Sequence, residues 1–155
     1  MSFTTATRTR PAVMSLDNPA AQAQLIKMTS QMVSWCRTAC RTSAWTLALA
    51  IVVLSLVPPS YRPVTETPHN FEHLAIFFLT GIAFGGGYPG RPFLIAVALV
   101  LFSGTVELMQ QSVPGRHARL SDFLVDGTAA SFGTLLVFTA MRLAHKIASR
   151  AQTEP

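Results

Sequence analysis

Hydrophobic positions along this chain gather into long, nearly uninterrupted runs. The first extends from Ser43 to Val57, ends at Pro58-Pro59, and has no charge between Arg41 and Arg62. The second runs from Phe71 to about Gly87. The third runs from Phe93 to about Gln111 and is broken only by Glu107; the fourth runs from about Phe123 to Met141 and is broken only by Asp126. Each lies near the short end of the ~17–25 residues that a helix needs to cross a bilayer. Four such segments packed into one soluble domain would leave no polar face to meet water. The pattern therefore predicts an all-α fold, a polytopic bundle of four transmembrane helices in contact with the lipid bilayer.

The remaining segments set the boundaries. Residues 1–20 mix Thr, Arg, Pro, Ala and Ser without periodicity and are expected to form a disordered tail. They do not resemble a cleaved signal peptide, whose apolar core follows its basic start at once. Residues 21–42 read as an amphipathic helix, with Leu25, Met28, Met32 and Cys36 at helical spacing and Lys27, Gln31 and Arg37 elsewhere on the wheel. An interfacial helix and a simple extension of the first span both fit it. The transmembrane domain is expected over 43–145, followed by a tail over 146–155. Pro58-Pro59-Ser60-Tyr61-Arg62-Pro63, Tyr88-Pro89-Gly90-Arg91-Pro92 and Val113-Pro114-Gly115-Arg116 break the helices. Such short loops predict antiparallel packing of consecutive helices. Gly81/Gly85, Gly127/Ser131 and Ala129/Gly133 are small-residue steps that let backbones approach closely in lipid, within one chain or between copies in a homo-oligomer. They place Gly81 and Gly133 at contacts too close for a side chain.

Composition agrees with this pattern. Half of the 155 residues are hydrophobic and only 12% are charged, against about 25% in a typical soluble domain. The net charge is +5, but the basic residues bracket the apolar runs and form no patch with interleaved aromatics, which argues against a nucleic-acid partner. Cys36 and Cys40 make neither a disulfide framework nor a zinc pattern. Lys27, Arg37, Arg41, Arg91, Arg142, Lys146 and Arg150 fall on one side of the four runs, and only Arg62, Arg116 and Arg119 on the other. The positive-inside rule makes the first side cytoplasmic, with both termini there.

In that orientation the outer ends of three helices carry the polar residues. Glu72 and His73 open the second run. Glu107, Gln110 and Gln111 close the third, and Asp122 and Asp126 open the fourth. Ionisable groups at membrane depth are unfavourable by about 2.5–3.5 kcal/mol unless partnered or hydrated, so their convergence marks a candidate ligand-binding site. Arg116 and Arg119, beside a helix start, suit a phosphate or carboxylate. They are equally suited to pairing with Glu107, Asp122 or Asp126.

Two stretches resemble a known family. Asn70-Phe71-Glu72-His73-Leu74-Ala75-Ile76-Phe77-Phe78-Leu79-Thr80-Gly81 is similar to the second-helix motif of the VanZ-like family. Glu107-Leu108-Met109-Gln110-Gln111-Ser112-Val113-Pro114-Gly115-Arg116, followed by Asp122, resembles that family's hallmark: Glu-x-x-Gln, a Pro-Gly-Arg turn, then an acid opening a Gly-rich last helix. The resemblance covers about Trp45 to Met141. Many members carry Asp-Lys ahead of the histidine, Asn at the place of Asp126 and Gly at the place of Ala129, where this chain differs. The resemblance implies a multi-span protein of the bacterial inner membrane, part of the cell envelope. It names no reaction.

Other motifs carry less. His69-Asn70-Phe71-Glu72-His73 matches His-x-x-Glu-His, an inverted zinc-protease pattern, but no third ligand follows at a suitable position unless Glu107 serves. No metal or cofactor is expected. Ser121, Asp122 and His117 lack a nucleophile elbow; Ser121 reads as the N-cap of the last helix, with Asp122 beside its positive end. The reading that follows is an envelope protein that binds an anionic lipid-linked or glycan-type ligand, or a membrane partner, through these residues. One alternative is a membrane-embedded hydrolase or transferase on a lipid-phosphate substrate, with His73, Glu107 or Asp122 as catalytic candidates. Another is a small proton-coupled transporter. The residues favour a binder over an enzyme.

Overall fold

A computed structural model describes residues 18–58, 69–113 and 119–151. It is all-helical: α1 (Pro19–Leu56), α2 (His69–Gly87), α3 (Pro92–Gln110) and α4 (Leu120–Ala151). Helices α1, α3 and α4 are long and apolar enough to cross a membrane; the apolar part of α2, Phe71–Gly87, is shorter.

The chain divides into two compact units, residues 1–35 and 36–155. In the first, Asn18 starts α1: its side-chain oxygen accepts from the Ala20 N–H at 3.0 Å and its carbonyl accepts from Gln22. Pro19 then fills the first helical position, where a missing N–H does no harm. Ile26, Met28, Met32 and Trp35 are exposed along this part of the helix. The helical start at Pro19 falls just inside the stretch expected to be a tail. The amphipathic segment and the first apolar run are drawn as one helix because no proline or glycine interrupts 20–57.

In the second unit the core joins Ile51 of α1, Phe77 of α2, Ile95, Leu99 and Val106 of α3, and Ala129 and Ala130 of α4. Helix α2 packs chiefly on α4, and α3 also packs on α4, while α2 and α3 scarcely meet. The α3–α4 pair keeps the antiparallel neighbour packing that the short loops suggest, whereas the α2–α3 pair does not. The tightest pair, α2 with α4, runs parallel, with Gly81 over Ala130 and Gly85 over Thr134. A Cβ at Gly81 would strike the Ala130 carbonyl, and one at Gly133 would strike that of Phe78. Glycine is needed at both because the obstacle is backbone. Thr134, fully buried, donates to the Ala130 carbonyl within its helix at 2.9 Å, and its oxygen also lies 3.2 Å from the Gly81 carbonyl.

Outside this seam many large apolar side chains are exposed. Phe93, Leu101, Leu120 and Phe132 are all mostly exposed. Helix α4 continues to Ala151, beyond the expected end of the transmembrane domain, and its last turns carry Arg142, His145, Lys146 and Arg150. At the same end of the bundle, Arg41 donates from Nε to the Gly87 carbonyl at 2.9 Å and stacks over the Tyr88 ring. The Tyr88 hydroxyl accepts from the Trp45 indole at 3.3 Å.

Candidate functional site

The opposite end of the second unit holds the polar residues. The parallel register of α2 and α4 brings residues 53 apart together, as it does for Gly81 and Thr134, and so sets His73 against Asp126. The His73 Nδ1 lies 3.1 Å from the Asp126 Oδ2. With its proton on Nδ1, a neutral imidazole donates to this carboxylate; a protonated one makes an ion pair. Asp126 is only 2% exposed, and its Oδ1 has no hydrogen-bond partner among the described residues. His73 also stacks on Phe77, with ring centroids 6.4 Å apart.

Glu107 and Gln110 sit on the buried side of α3, in line with Ser103 and Val106. Gln110 Nε2 is likewise buried without a partner among the described residues. Gly127 of α4 lies against Val100 and Ser103 of α3, so Asp126 sits roughly two turns deeper along α3 than Gln110. Two buried polar atoms of opposite character, an amide donor and a carboxylate acceptor, are thus left without a partner among the described residues. Each lacks a bond whose absence is unfavourable by about 1–3 kcal/mol.

Glu107 meets Arg119 through the arginine's main chain and not through its guanidinium. Its Oε1 accepts from the main-chain N–H of Arg119. Arg119 immediately precedes α4, and its carbonyl accepts from the N–H groups of Asp122 and Phe123. Glu107 therefore braces the start of α4 from the neighbouring helix, where negative charge is favoured. The exposed Arg119 guanidinium makes no ion pair among the described residues. Ser121 is not the N-cap: it lies inside α4, and its hydroxyl donates to the Asp122 carboxylate at 3.0 Å. Asp122 is half-buried, whereas Asp126, one turn on, is fully buried.

Glu72 lies in the first turn of α2 and is half-buried. Gln111 is exposed just after α3, its N–H closing the last turn onto Leu108. Arg116 and His117, with the rest of the Pro-Gly-Arg turn, lie outside the described residues, as does the side chain of His69. Among the described residues no group of three or more His, Cys, Asp and Glu is placed to hold a metal.

The site thus combines an imidazole oriented by a buried carboxylate, a second buried carboxylate at a helix start, a buried amide and an exposed guanidinium. An aspartate-oriented imidazole can move a proton, and a guanidinium beside a helix start can hold an anion. The His73–Asp126 pair is the element that sequence reasoning missed. Its trace lies in matched spacing: His73, Phe77 and Gly81 on α2 repeat at Asp126, Ala130 and Thr134 on α4. Compared with protein-family models, with curated proteins and with solved structures, the chain finds no match.

Proposed function

We propose that this chain is a VanZ-like protein of the bacterial inner membrane, crossing it four times with both termini cytoplasmic. In this reading its polar end faces outward and binds an anionic lipid-linked or glycan-type ligand. The observation that supports the binding role best is the set of buried carboxylate and amide side chains toward one end of the bundle, where the other buried polar side chains are small hydroxyls. Among the described residues Asp126 and Gln110 each keep an unpartnered atom, and the Arg119 guanidinium makes no ion pair. Natural proteins rarely leave such atoms unsatisfied without a functional reason, and a ligand carrying hydroxyl and phosphate groups supplies both acceptor and donor.

One contact favours a second reading, a hydrolase or transferase on a lipid-phosphate substrate. Asp126 holds His73 as a carboxylate holds the base of a hydrolase. The two separate by variant: His73→Gln abolishes turnover in an enzyme while leaving ligand affinity intact.

The binding role is tested with the full chain in phosphatidylcholine nanodiscs containing a small fraction of hexadecyl phosphate, followed by native mass spectrometry. Saturable retention of the phosphate amphiphile by the wild type, weakened at least tenfold in Arg119→Gln, is expected. No retention, or retention that Arg119→Gln leaves unchanged, overturns it.

A further inference from the structure

Beside the polar cluster, the outer surface of the α3–α4 seam carries a groove of about 550 Å³. Leu101, Thr105 and Leu108 of α3 form one wall, Leu120 and Phe123 of α4 the other, and Gly104 lies between them. The floor is low because residue 104 has no side chain; a Cβ there would already lie 3.3 Å from the Phe123 ring. Thr105 turns its hydroxyl back to the Leu101 carbonyl at 2.8 Å, so this donor is already used within α3. From Leu101 to Gln111 the α3 wall extends roughly 15 Å at 1.5 Å per residue.

The two ends of the groove differ. Toward mid-helix it is lined by Val100, Leu101 and Gly104, with Thr105 the one polar side chain among them. At the polar end it meets Glu107, Gln111 and Arg119. Glu107 is engaged with the Arg119 main-chain N–H, so its charge is partly met by the start of α4. The Arg119 guanidinium, exposed and without an ion pair among the described residues, is the free charge at this mouth. Leu101, Leu108 and Leu120 are each about two-thirds exposed or more, at 67%, 66% and 74%, so the groove opens sideways along its length.

We propose that this groove seats the alkyl chain of a membrane amphiphile with an anionic phosphate head, the phosphate resting on Arg119 beyond Glu107. The inference rests on the outward anion-binding site proposed above and gives its ligand class and route of entry. A long apolar trough accepts a chain better than a compact solute, and a guanidinium fork matches phosphate oxygens. The ligand enters laterally from the outer leaflet, chain first against α3 and α4.

The experiment extends the nanodisc measurement to three amphiphile arms and two groove variants. Hexadecyl phosphate is compared with hexadecanol, which keeps the chain, and with glycerol phosphate added to the water, which keeps the head. Thr105→Phe and Leu101→Trp each fill the trough without touching Arg119, and two variants guard against one failing to fold. The expected result is retention of hexadecyl phosphate by the wild type, reduced at least tenfold in both groove variants, with hexadecanol not retained and excess glycerol phosphate unable to displace the amphiphile. If both folded groove variants retain hexadecyl phosphate like the wild type while Arg119→Gln does not, the chain lies elsewhere; the groove is then refuted and the anion site survives. Displacement by glycerol phosphate likewise refutes the chain's role. Equal retention of hexadecanol shows annular lipid only and overturns both readings.

Discussion

The substitution Gly81→Ala probes the α2–α4 seam most sharply. A Cβ at this position would lie 2.9 Å from the Ala130 carbonyl carbon and 3.0 Å from its Cα, besides striking the oxygen. Carbon atoms rest at about 3.5–4.0 Å, and backbone cannot rotate aside, so the helices must part by roughly 0.5–1 Å. Overpacking of this kind is destabilising by about 1–3 kcal/mol. The same movement stretches the 3.2 Å contact from Thr134 to the Gly81 carbonyl past hydrogen-bond range. Interhelical bonds in membranes contribute about 0.6 kcal/mol on average. Against these losses stands the helix propensity of alanine, which favours the variant by about 1 kcal/mol. The net expectation is a loss of about 0.5–2.5 kcal/mol. Reversible unfolding in mixed micelles, titrated with a denaturing detergent, measures it. Gly90→Ala is the control, since nothing lies within 4 Å of a Cβ there. A Gly81→Ala protein as stable as the wild type, or a Gly90→Ala protein equally weakened, would refute the close approach.

Three further outcomes follow from the same geometry. Thr134→Val keeps the shape but removes both hydroxyl contacts, and should lower stability by about 0.5–1.5 kcal/mol in the same titration; no change would mean that neither contact matters. Gln110→Met should leave stability unchanged or raised by up to about 1 kcal/mol, because the buried Nε2 has no partner among the described residues; a marked loss would reveal a bond to this amide. A double-mutant cycle on His73→Gln and Asp126→Asn should show coupling of about 0.5–3 kcal/mol, whereas additivity would separate the two residues.

Much of this fold is legible in the chain because long apolar helices announce themselves by length and hydrophobicity. The prolines at 58–59, 89 and 92 mark breaks between helices, and the small-residue steps mark Gly81 and Gly133 as contact points. What they touch is not legible. Small steps occur on both α2 and α4, and no local rule says that a parallel, non-consecutive pair packs more closely than the α2–α3 hairpin. Once that pairing exists, a constant offset carries His73 to Asp126. Without it, Asp126 reads only as a companion of Asp122. The role of Glu107 was hidden for another reason: its partner is a main-chain N–H of Arg119, and backbone donors leave no mark in a pattern of side chains. The same bond satisfies the residue just before α4, which is why Ser121 is not needed as a cap.

The proposed function requires four membrane crossings that leave the His73–Asp126 end outside. Alkaline phosphatase, active only beyond the membrane, is fused after Ala151 in one protein and after Tyr61 in another. An inactive fusion at Ala151 and an active one at Tyr61 are predicted; the reverse pattern would turn the polar cluster to the cytoplasm and contradict an outward-facing site.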